Sequence, residues 1–161
     1  HITNDATKIK SYMEKLQSTG CYQVDEVTLK AIQETFSAGY LDDNATKKCI
    51  HDIYQQDNYV ADTHTAVAWQ VAQDYQKSTQ DKTPMVVLST ASPYKFSDSV
   101  LSALGEDISD KDEFALLDKL STLNKDKIPQ GLAQLQSLPI LHNNLCAKED
   151  MIKAVNTFLN I

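Results

Sequence analysis

Apolar residues return at three- and four-residue intervals along nearly all of this 161-residue chain, and that rhythm breaks clearly only once. Ile9, Tyr12, Met13 and Leu16 share one face of a helix, opened by Asn4 or Asp5 as cap and closed at Gly20. Leu29, Ile32 and Phe36 repeat the pattern after Asp25-Glu26 and run out near Gly39. Cys49, Ile50, Ile53 and Tyr54 form the next stripe, with Asp42-Asp43 placed where a helix dipole favours negative charge. Asp62 then caps a longer helix over about 63–78, carrying Ala68, Val71, Ala72 and Tyr75, with Val67 and Trp69 flanking. So broad an apolar face predicts one of the more buried helices. Phe96, Val100, Leu101 and Leu104 predict another helix ending at Gly105, and the acidic stretch 105–113 predicts an exposed loop. Phe114-Leu117-Leu120, Leu132-Leu135-Leu138 and Met151-Ile152-Val155-Leu159 predict further helices, with a short extended piece at 139–142.

The break falls at residues 85–90. Thr83-Pro84 interrupts the chain, and Met85-Val86-Val87-Leu88 follows as a continuous apolar run ending in Ser89-Thr90. A short run of this kind between breakers predicts a strand buried on both faces, the parallel α/β arrangement. The expected fold class is therefore α/β: a mostly helical chain with one main buried strand (about 85–90) and a small or incomplete sheet. A lone strand leaves its backbone groups unpaired. Tyr22-Gln23-Val24 and Tyr59-Val60-Ala61 are the candidate partners within the sequence; otherwise the partners lie in a part of the protein outside it.

Composition narrows the functional classes. Charge totals −7, from 22 acidic and 15 basic residues, and every basic residue is lysine. No basic patch tracks a phosphate backbone, which argues against nucleic acid as a partner. Without arginine, any bound anion is met by lysine, hydroxyls or backbone N–H groups. No apolar run reaches the length of a membrane span, and HITNDATKIK lacks a signal-peptide pattern, so no membrane partner is expected. Cys21, Cys49 and Cys146 are odd in number and far apart, which reads as reduced thiols in a cytoplasmic protein. His1 is not an initiator residue, which suggests a processed or cut chain.

The chemistry concentrates where the apolar run ends. Ser89, Thr90 and Ser92 cluster there, followed by Pro93 and Lys95. Ser92-Pro93 is a local helix opening, hydroxyl at the cap and proline at the first helical position. The alternative is a ligand site, because in open α/β sheets ligands gather beyond the carboxyl ends of strands. Alternation puts Ser89 and Thr90 on opposite sides, so one of the two would face such a ligand. Elsewhere Asp62 and His64 read as a cap aspartate and a first-turn histidine, since no third ligand stands nearby for a metal. Cys49 and His51, two apart on a helix, make a poor nucleophile-base pair, as do His142 and Cys146 near a loop.

The segment Thr90-Ala91-x-Pro93-x-Lys95-Phe96 resembles the C-terminal signature of the threonine synthase family. Upstream, Asp62, His64, Ala66 and Val67 resemble that family's D-P-H-x-A-V segment, with Thr63 in place of proline; N-D-A-x-K-I-K-x-Y-M at 4–13 and the acidic helix after Tyr40 are similar as well. The resemblance spans nearly the whole chain and identifies residues 1–161 as a C-terminal part of such an enzyme. It implies pyridoxal 5′-phosphate as cofactor on a fold-type II scaffold, converting O-phosphohomoserine and water to threonine and phosphate. It also implies a hydroxyl at the pyridine nitrogen, with Thr90 the candidate and Ser89 and Ser92 behind it; Lys95 reads either as a charge toward substrate phosphate or as a solvated lysine on the exposed first turn of a helix. The family's catalytic lysine lies in an F-K-D context and its cofactor phosphate in a glycine-rich loop. Neither occurs here: the four glycines stand singly at 20, 39, 105 and 131. The implied partner is the remaining N-terminal lobe, and the piece alone is expected to be inactive. The rival expectation is a non-catalytic helical binding module in which the hydroxyls only cap.

Overall fold

The computed structural model describes residues 2–109 and 112–161, and helices account for all its regular elements: α1 (Ala6–Thr19), α2 (Glu26–Gln33), α3 (Asp43–Asp57), α4 (Thr63–Thr79), α5 (Ser97–Ala103), α6 (Glu113–Leu123), a single turn α7 (Gln130–Ala133) and α8 (Met151–Leu159). Local chemistry sets most of the starts. Asp5, Asp25, Asp42, Asp62 and Asp112 each accept backbone N–H bonds of the first turn, and Ser92 does the same for a 3-10 turn over Pro93–Phe96 that leads into α5. Gly20 closes α1 with φ of 78°, the left-handed conformation that glycine adopts without a Cβ penalty. Part of the acidic stretch expected as a loop, residues 110 and 111, lies outside the described residues.

The core sits in the middle of the chain. Helix α3 packs on α4 and α5, and α5 packs on α6. Cys49, Ile50, Ile53, Val100, Leu101, Leu116, Leu117 and Leu120 supply its buried side chains, joined by Val60 and Ala61 from the α3–α4 connection and Tyr94 from the 3-10 turn. Gly39 passes over α4 so closely that a Cβ there would stand 2.9 Å from both Val71 methyls. Helix α1 is tied more lightly. Tyr12 is buried by stacking on Tyr22, ring centroids 5.3 Å apart, and Lys8 pairs with Asp25.

The α/β expectation is overturned. No strand occurs among the described residues, and there no backbone hydrogen bond joins residues 85–90 to 22–24 or to 59–61. Val60 and Ala61 are spent on the helical core instead. The run is not buried on both faces either, since Val86 is 85% exposed and Leu88 71%. Continuous apolarity was the warrant for a strand, yet hydrogen-bond partners make one, and here none are in reach. Two smaller expectations also change. Helix α2 stops at Gln33, leaving Phe36 exposed beyond it. Helix α4 is not among the buried ones; it buries Thr65 and Ala66, while Ala68 and Trp69 are exposed.

Candidate functional site

Asp62 anchors the region. It is 1% exposed, and its Oδ1 accepts from the backbone N–H of His64 at 2.9 Å and of Thr65 at 3.2 Å. The Thr65 hydroxyl donates to Oδ2 of the same carboxyl group. His64 turns outward, its Nδ1 3.4 Å from Asp62 Oδ1 and its ring 5.0 Å from that of Phe96. Asp62 is thus the helix cap that spacing predicts, and no cluster of three metal-ligating side chains occurs among the described residues. Cys49 has no imidazole partner among the described residues. Its Sγ donates to the Ala66 carbonyl at 3.3 Å, and burial pushes its thiol up from the ordinary range, with Asp52 adding to the shift.

The hydroxyl cluster divides by use. Ser89 faces the body, its Oγ 3.3 Å from the Tyr59 hydroxyl and 3.4 Å from Thr65 Oγ1. Together with Val87, Ile53, Trp69 and Tyr59 it lines a shallow cleft of about 290 Å³. Ser92 is occupied too, accepting from the Tyr94 N–H at 3.4 Å as cap of the 3-10 turn. Tyr94 is pinned below by its hydroxyl, which donates to the Asp126 carbonyl at 2.5 Å, and burial pushes its phenol up. Thr90 lies between the two serines, exposed, and its hydroxyl makes no hydrogen bond among the described residues. Lys95 lies on the far side of the turn, beside a cleft of about 510 Å³ that also holds Asp98 and Glu113, whose charge competes for it.

A neutral, unbonded hydroxyl can serve as donor or acceptor to a ring nitrogen, whereas Ser89 and Ser92 are committed to the protein. None of the chain's lysines stands in an F-K-D context. Two contributors escaped the sequence reading. Thr65 is the unspecified position of the D-P-H-x-A-V segment, and Tyr59 read only as a weak strand residue. A threonine three residues after a capping aspartate was the available signal for the first.

Residues 65–155 match the family described as "Threonine synthase, C-terminal". Among curated proteins, the chain is 32% identical over 144 residues to threonine synthase-like 1 of Macaca fascicularis, covering 88% of this chain and 17% of that protein. It is 30% identical over 139 residues to threonine synthase of Saccharomyces cerevisiae, covering 81% of this chain and 24% of the yeast protein. The chain therefore spans about a fifth of the length of these relatives. Among solved structures, the PLP-bound threonine synthase from Brucella melitensis superposes with a TM-score of 0.65 at 27% identity, over 98% of this chain and 29% of that one.

Proposed function

The chain belongs to the threonine synthase family, through the family's C-terminal domain, and from that premise we propose that it forms one wall of a pyridoxal phosphate site. In this reading the whole enzyme converts O-phosphohomoserine and water to L-threonine and inorganic phosphate in threonine biosynthesis. The remaining N-terminal lobe, partner to residues 1–161, supplies the Schiff-base lysine and the phosphate loop. Family membership weighs against a helical binding module of unrelated history. The cysteines are free among the described residues, which suits a cytoplasmic enzyme.

Pyridoxal phosphate contributes an electron sink to such chemistry. The task of this chain is to hold the edge of the ring. Thr90 donates its hydroxyl to the pyridine nitrogen, and a neutral hydroxyl, unlike a carboxylate, does not keep a proton there. Ser89 and Ser92 fix the backbone on either side. Lys95 lies across the turn beside Asp98 and Glu113, so a positive charge offered to the substrate's phosphate would act from outside the Thr90 edge. Having no Schiff-base lysine of its own, the 161-residue chain by itself is without turnover.

One observation carries this reading: of the three clustered hydroxyls, that of Thr90 alone makes no hydrogen bond among the described residues. Thr90→Val in the intact enzyme is expected to weaken pyridoxal phosphate binding about tenfold, the worth of one hydrogen bond, with Thr90→Ser restoring most of it. A Thr90→Val enzyme that binds and turns over like its parent would contradict the assignment.

A further inference from the structure

The segment that carries Thr90 has little to hold it. Among the described residues, no backbone–backbone hydrogen bond involves residues 84–91. Its entrance is tied by the Gln76 amide, which donates to the Thr83 carbonyl at 2.9 Å, and its exit by the Ser92 cap. Between those points its polar ties are those of Ser89, to Tyr59 and to Thr65, with Val87 seated in the same cleft. Thr65 is in turn fixed by the buried Asp62, whose position the start of α4 determines. A line of side-chain contacts therefore runs from the helix cap to the residue adjoining Thr90.

We infer that Asp62, Thr65, Tyr59 and Ser89 act together as a positioning device that aims the Thr90 hydroxyl. The inference rests on the reading that Thr90 faces the cofactor, and it adds Asp62, Thr65 and Tyr59 behind Ser89, none of them touching the cofactor. At 3.3 and 3.4 Å the contacts to Ser89 are long for hydroxyl pairs, so they guide the segment rather than clamp it. The effect of removing one is accordingly that of a single modest hydrogen bond. The D-P-H-x-A-V segment gains a role on this account. It builds the cap whose third residue reaches across 24 positions of sequence to the loop beyond α4.

Affinity of the intact apoenzyme for pyridoxal phosphate, followed by absorbance, tests the device in a double-mutant cycle. Thr65→Val is expected to weaken binding about three- to tenfold, with Thr65→Ser restoring it. Ser89→Ala, which leaves the Asp62 cap intact, is expected to do the same. In a Thr90→Val background neither change should cost anything further, because nothing remains to be aimed. If both variants bind like the parent, or if their losses persist in full without the Thr90 hydroxyl, the device is refuted. Normal binding by Thr90→Val alone refutes instead the reading on which it rests, and the device with it.

Discussion

A buried carboxyl group is costly unless its oxygens find donors, and Asp62 meets that condition with two backbone N–H groups and the Thr65 hydroxyl. A cap of this kind is worth about 1–2 kcal/mol on a helix, and the third bond from Thr65 adds to it. Asp62→Ala should therefore lower stability by about 2 kcal/mol in denaturant unfolding, with Asp62→Asn retaining more than half of the cap's contribution. A loss within a few tenths of a kcal/mol would mean that solvent serves these groups as well as Asp62 does. The cap was legible because its donors lie two and three residues away. The Thr65–Ser89 contact was not, because chain folding alone brings those two residues together.

Among the elements, helix starts were read well and everything decided by partners was read poorly. Asp5, Asp25, Asp42, Asp62 and Ser92 announce themselves locally. Whether α4 is buried depends on what packs against it, and whether 85–90 is a strand depends on a second strand, so apolar content misled in both places. The joint between α1 and α2 gives a pH test. The Lys8 ammonium holds the Asp25 carboxyl well below the usual carboxylate range, and Thr28 bonds reinforce the shift. Because the folded-state value is depressed, the stabilisation is present above the unfolded value of about 3.9 and is lost as pH falls through the folded one. Asp25→Asn keeps a cap but removes the charge. The parent's advantage in Tm over this variant should hold from pH 7 to about 5 and shrink progressively below about 4. An advantage unchanged at pH 2 would show that the ion pair does not stabilise the joint. Both side chains are more than a third exposed, so the advantage is small.

At the scale of the molecule, the helical core accounts for the middle of the chain and leaves much apolar surface outside it. Val86, Leu88, Ile140, Leu141, Leu145, Ile152 and Phe158 are all strongly exposed. Apolar surface of that extent is unusual for a domain that stands alone, and it accords with a chain spanning about a fifth of its relatives. The resemblance to a family was legible from two short motifs, and the architecture around them was not, since the strand reading presumed a sheet that these residues do not form. The most direct measurement is a crystal structure of the intact enzyme with pyridoxal phosphate bound. The Thr90 hydroxyl is expected within about 3 Å of the pyridine nitrogen, with Ser89 turned toward Thr65 and Tyr59. A different residue at that nitrogen, with Thr90 directed away from the ring, would contradict it.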